Sequence, residues 1–448
     1  MKKHSIIIGS IFLIAAIAVS APYLKEQPTR IEGTHYPHQK QPPVSGRFPD
    51  KGCVFKTVFG EEQLDSTDYQ IKTVTEVDLS VNRGLKWLSK AQLPNGGWGA
   101  GSHSFQTNMD PHSVQADPAT TAMVSMAMLR CGSTPYSGEY ASNVSKAVEF
   151  LLQAVENSGN REKITQLENT QIQAKLGSNI DVVLTAQFFT NLLDALKQET
   201  PLKKRVVKSL EQCIQKIQRQ QNADGSYKGG GWAGVLQDGL AHSAIESAQY
   251  YGIAVDSTAF EQSKNYQKGN LNTETGDVNV DRGAGIVLYS ISNTTRASSK
   301  DARKAKEMID EGKKKGILEK DAEVTVENLE KVGLAPTLAY DYQQANKIYE
   351  QGKVTAQNEN VMSGFGNNGG EEFLSYLQTG ESMIVAKDND WKKWYDNMTS
   401  RLLKIQNNDG TWNGHHCITS PVFCTATCVL LLSINNDVDQ LMKLGSSN

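Results

Sequence analysis

The side chains best equipped for chemistry gather near the C-terminal end of the sequence. His415, His416 and Cys417 stand together, with Cys424 and Cys428 a short way on. Imidazole and thiolate are zinc ligands, and a loop running into a helix can supply four of them. The spacing matches no standard zinc pattern. Three readings stand side by side: a Cys417–Cys424 disulfide pinning the loop to the helix, a metal site, and free thiols packed as small hydrophobes. The disulfide ranks first, and Cys424 and Cys428, four apart on one helix, are poorly placed to bond each other. Zinc, the one cofactor the residues raise, ranks below it. A second candidate is His242 with Glu246, i and i+4 at the start of a helix, a His–carboxylate pair suited to general acid–base work and equally to a structural hydrogen bond. Glu371 and Glu372 follow a Gly-rich stretch and open a helix, where acidic residues favour the macrodipole. Asp181 reads as a cap before Val182, and Asp388 and Asp390 as caps of the helix that follows them. The run Lys228-Gly229-Gly230-Gly231-Trp232 lacks a preceding strand and a Gly-Lys-Ser/Thr ending, so it is no phosphate cradle.

The elements that must position these residues are helical and repeated. Around 402–417 an amphipathic helix ends in Gln406, passes Gly410 and Trp412, and gives way to a second helix rich in small residues. The same grammar recurs at Gln92, Gly96 and Trp98, and at Gln221, Gly225 and Tyr227. A unit that recurs with its turn intact marks a repeat architecture. Val81, Leu85, Leu88 and Ala91 keep helical spacing from about Asp78, and residues 119–129 form a helix apolar nearly all round, hence a buried one. Further pairs are expected at 144–155 with 182–196, at 203–220 with 240–251, and at 391–405 with 423–434. Between 256 and 386 the pattern loosens: a short helix at 260–266, a short buried one at 284–291, a polar helix at 302–314, then helices at 334–349 and 371–385. The fold class expected is all-α, an α/α toroid of about six hairpins, with apolar helices inside and amphipathic ones outside.

The stretch from Arg83 to Trp98 resembles a full copy of the Gln-Trp repeat of squalene–hopene and oxidosqualene cyclases, and 212–227 and 397–412 resemble partial copies. Protein prenyltransferase β subunits and complement-type thioester domains share that architecture. The resemblance implies an α/α toroid over roughly 78–436. It does not bring the chemistry with it. The chain has no Asp-Asp pair for a cyclase acid, no Asp-x-Cys for the prenyltransferase zinc, and no Gly-Cys-Gly-Glu-Gln for a thioester. Fold alone does not fix function.

Bulk properties bound the rest. The 448 residues carry 46 basic and 49 acidic side chains, a net charge of −3, with no basic patch interleaved with aromatics for nucleic acid. Lys2 and Lys3 precede an apolar run to Ala21, the n- and h-regions of an export signal, cleaved or kept as an anchor. Residues 22–77 read as an irregular strap with Cys53 as a tie-down, and 437–448 as a polar tail. The expectation is an exported protein, periplasmic, extracellular or tethered to the outer face of the cytoplasmic membrane. Its expected role is a binding or interaction module for a lipid, glycan or protein ligand. The alternative is an enzyme working in the toroid cavity, isoprenoid cyclase- or transferase-like, or a polysaccharide hydrolase or lyase with His242 and Glu246 as its acid–base pair. A cavity plugged by side chains favours the interaction scaffold.

Overall fold

The computed structural model describes residues 74–196 and 200–446. The expected signal or anchor (1–21), Cys53 and nearly all of the strap lie outside the described residues. Among those described, the structure is all-helical, with isolated β-bridges and no strand. In chain order the helices are α1 Val74–Lys90, α2 Pro118–Arg130, α3 Ala141–Glu156, α4 Gln171–Lys175, α5 Ile180–Leu192, α6 Pro201–Arg219, α7 Gly234–Tyr250 and α8 Ser257–Lys268. They continue as α9 Val287–Lys314, α10 Val326–Lys331, α11 Pro336–Ala356, α12 Glu359–Met362, α13 Gly370–Val385, α14 Trp391–Ile405, α15 Pro421–Leu432 and α16 Val438–Ser446. None is long and apolar enough to cross a membrane.

Six helices form the core. α2 packs on α5, α5 on α7, α7 on α9, α9 on α13, α13 on α15, and α15 returns to α2. Every residue of α13 and α15 is buried, as is nearly all of α2. By composition α2 and α15 have no charged face to turn to water, so neighbours must cover them on all sides, whereas α13 is buried together with a polar stripe of Glu371, Ser375, Gln378 and Ser382. Amphipathic helices α1, α3, α6, α8, α11 and α14 flank this core and bury one stripe each.

The Gln turns join one flanking helix to the next. Gln92 donates from Nε2 to the Gly96 carbonyl at 2.8 Å and to the Asn143 carbonyl, in the first turn of α3, at 2.9 Å. Gln221 reaches Gly225 and, at 2.7 Å, Ala259 in the first turn of α8. Gln406 reaches Gly410 and Ser80 of α1, each at 2.9 Å, so the last repeat is tied to the first. In the first and last turns the aromatic residue adds a bond from below: Trp98 Nε1 donates to Leu88 O at 2.8 Å, and Trp412 Nε1 to Leu402 O at 2.9 Å. Gly96, Gly225 and Gly410 all take φ near +90°, a backbone that strains any residue with a Cβ.

Two elements differ from expectation. The short buried helix at 284–291 and the polar one at 302–314 are a single 28-residue helix, α9. Its middle, Ser292 to Ser299, is polar yet buried, and Thr295 and Ser299 bond back to the carbonyls of Ile291 and Arg296. Hydroxyls satisfied within the helix carry no apolar periodicity to read. The segment after 437 forms α16, with Leu441 and Leu444 buried, packed on α9 and α13.

Candidate functional site

All six core helices begin at one end of the core, where their leading loops meet. Gln106 Nε2 donates to the Cys417 carbonyl at 2.7 Å, Gln171 Oε1 accepts from Thr419 N and Ser420 N at 2.8 and 3.1 Å, and His415 N donates to Asn368 O at 2.7 Å. Six N-termini side by side concentrate positive dipole ends and orphan N–H groups. Buried acids answer them. Asp117 caps α2 through Thr120 N at 2.7 Å, and Asp181, in the first turn of α5, accepts from Ala119 N of α2 at 3.2 Å and from Gln173 Nε2 at 2.8 Å. Asp181 thus supports the neighbouring helix and is not the cap expected for its own. Burial pushes Asp117 up to about 6, and burial with the charge of Asp117 pushes Asp181 up to about 7. Asp238, in α7, is held by Arg282 Nε at 2.7 Å.

At α13 the acids come in a pair. Glu372 reaches back to Gly369 N at 2.8 Å, accepts from Phe365 N at 3.1 Å, and is bonded by the Tyr289 hydroxyl of α9. Glu371 accepts from Ile418 N through Oε2 at 3.3 Å, while its buried Oε1 has no partner. Burial first, and the adjacent Glu372 second, push the Glu371 carboxyl up to about 8. It is therefore largely protonated at neutral pH, a form that offers a donor.

The His-His-Cys loop lies over this pair. His416 Nε2 sits 2.6 Å from Asn367 O and 3.6 Å from Glu372 Oε2. Cys417 takes φ +58°, a left-handed backbone unusual for a residue with a side chain, which marks a position the surroundings over-determine. Burial and Glu371 push its thiol up to about 12, with Lys175 opposing the rise. Lys175 in turn lies 4.8 Å from the Trp232 ring centre. Trp232 meets Phe365 edge-on at 5.4 Å, and Phe365 meets His416 at 5.1 Å. The row is open to solvent: Phe365 is 54% exposed and Trp232 38%, and Phe105, in the loop bonded to Cys417 through Gln106, is 70% exposed.

The favoured Cys417–Cys424 disulfide is not formed. Both cysteines are free thiols, as is Cys428. Cys424 is wholly buried in α15 and donates to the Ile418 carbonyl at 3.4 Å, while the Cys417 thiol lies toward Lys175 and Glu371. Nor are His415, His416, Cys417 and Cys424 gathered as a ligand set: among the described residues no group of three metal-binding side chains converges. His242 and Glu246 do lie together, but both are buried and engaged. His242 is 1% exposed and stacked on Phe260 at 4.7 Å and 9°, and burial lowers its pKa to about 4. Glu246 is paired with Arg296 at 2.7 Å. Asp388 closes the turn that leads into α14, accepting from Asp390 N through Oδ1 at 2.8 Å, and it also accepts from Lys353 Nζ at 2.8 Å and from the Tyr349 hydroxyl at 2.7 Å. Asp390 holds the N-cap position of α14 without a side-chain cap bond.

Sequence reasoning missed Trp232, Phe365, Lys175 and Tyr289, which come from four separate loops and helices. The one available signal was an aromatic residue placed beside Gly-rich turns just before two core helices. No family model matches the chain, and no curated protein matches it in sequence.

Proposed function

We propose that the chain is an exported α/α toroid that acts as a binding module, and that the aromatic end of its core helices is the face that holds a protein partner. The toroid reading is supported by the succession of core helices that returns to its start and by Gln406, which ties the last repeat to α1. It is the reading that the Gln-Trp resemblance implies. A tightly filled interior supports binding at a face over turnover in a bore: α13 and α15 are buried at every position, and the cavity among Arg130, Gln187, Ser243, Arg296 and Glu381 holds only about 40 Å³. The observation that carries the proposal is the exposed edge-on pair of Trp232 and Phe365, with the exposed Phe105 on a further loop that is bonded to the His-His-Cys loop through Gln106. Trp and Phe anchors on a rigid base are what protein interfaces use as hot spots.

One observation favours the enzyme alternative: Glu371, protonated near neutral pH with an unpartnered oxygen beside Cys417, has the form of a general acid. The discriminating experiment is photo-crosslinking in the producing cell, with a photoreactive residue at Phe365 or at the exposed Ile317 of the α9–α10 turn. A discrete protein adduct at position 365, absent at 317 and lost on Trp232→Ala, is expected. The same adducts at both positions, or adducts indifferent to Trp232, would overturn the proposal.

A further inference from the structure

A second candidate site lies on the flank of the core and shares no residue with the aromatic end. Between α8 and α11 is a cleft of about 690 Å³, floored by α7 and α9. That volume is within the range of small-molecule sites, roughly 300–1,000 Å³. Its lining is unusual in combining fixed charges with open rings. Lys264 and Lys268, one turn apart on α8, both reach Asp301 of α9, at 3.4 and 2.6 Å. Lys300 and Lys304 line the cleft one turn apart on α9, and Lys304 has no acidic partner among the described residues. Across from them α11 presents Tyr340, 56% exposed, beside Leu338 and Tyr342.

These features narrow the ligand. A purely apolar molecule would strip water from a network of ionised groups with nothing in return. A dense polyanion such as a polyphosphate has no apolar face to lay on the tyrosine rings, and the cleft offers it no net positive charge to make up for that, since Glu246, Glu261, Asp301 and Asp341 equal the four lysines in number. A sugar suits both halves of the lining. Its hydroxyls bond charged donors and acceptors, which make stronger hydrogen bonds than neutral ones, and its C–H faces lie on aromatic rings. One carboxylate per sugar ring then matches Lys304, the lysine left without an acid.

We propose that this cleft binds an acidic oligosaccharide of the uronate type, with sugar faces on Tyr340 and Tyr342 and a carboxylate on Lys304. The inference does not depend on the protein-binding role of the aromatic end. The test is titration calorimetry of the exported chain, in low salt, with tetragalacturonate and with neutral cellotetraose. The uronate is expected to bind at least about tenfold more tightly, a difference read directly in Kd. Tyr340→Ala weakens binding of the uronate, Lys304→Met removes its advantage over the neutral sugar, and Trp232→Ala changes neither. Absence of uronate binding, equal affinity for the two saccharides, or binding unmoved by both cleft substitutions would overturn the proposal. So would loss of binding on Trp232→Ala, which would move the sugar to the aromatic end.

Discussion

Glu371→Gln converts the most perturbed acid of the candidate site into an uncharged isostere, and its consequence can be worked out with its sign. In the folded chain the carboxyl titrates at about 8, against an ordinary 4.5, because burial and Glu372 oppose its charge. A raised acid pKa means that between these values the folded state holds a proton the unfolded state has released. Stability from this group is therefore complete below about pH 4.5 and declines as pH rises toward 8. At 1.36 kcal/mol per unit, a rise of about 3.5 units gives an upper value of about 5 kcal/mol lost across that window. Asp117 and Asp181, also raised, slope the same way. They are common to both proteins, so the difference between wild type and variant isolates Glu371. Urea unfolding at pH 5, 6, 7 and 8 should show the variant equal to or slightly below wild type at pH 5 and more stable by several kcal/mol at pH 8. Parallel curves across that range would refute the account of the buried pair.

Other perturbations test the frame. Gln406→Ala removes two bonds to carbonyls, including the tie from the last turn to Ser80, and should cost about 1–3 kcal/mol in thermal or urea unfolding. Arg130→Met strands Glu381 and Asp437, which the guanidinium holds at 2.9 and 2.5 Å. A loss of about 3–5 kcal/mol is expected, with proteolysis of α16 appearing before global unfolding. Alkylation of the denatured, unreduced chain should label Cys417 and Cys424 in peptide mass spectra, because both are free thiols; a Cys417–Cys424 cystine would contradict the structure. His242→Phe keeps a ring on Phe260 and should leave activity-independent properties such as fold and partner binding within about 1 kcal/mol of wild type.

The turns were legible because their chemistry is local. Gln406, Gly410 and Trp412 lie within seven residues, and each has a role that its own short stretch nearly fixes: a donor, a left-handed bend and an anchored ring. Apolar helices such as α2 and α15 were legible by composition alone. The continuity of α9 was not, because its buried middle is Ser and Thr, and periodicity analysis reads polar residues as exposed. The His415–Cys417 loop was correctly singled out as chemically dense, but its meaning depended on partners far away in sequence. Lys175 and Glu371 face Cys417, and Asn367 and Glu372 face His416, and none of the four is near the loop in sequence. His242 and Glu246 were placed together correctly, but the stack with Phe260 and the pairing with Arg296 come from α8 and α9, outside any local window.

The central claim is that the aromatic end of the core holds a protein partner. The most direct measurement is the Kd of the purified chain for the protein captured at position 365, compared with the double variant Trp232→Ala, Phe365→Ala. Two anchors worth about 2 kcal/mol each predict a loss of several hundredfold or more, with the melting temperature of the variant unchanged. An unchanged Kd in a folded double variant would contradict the claim.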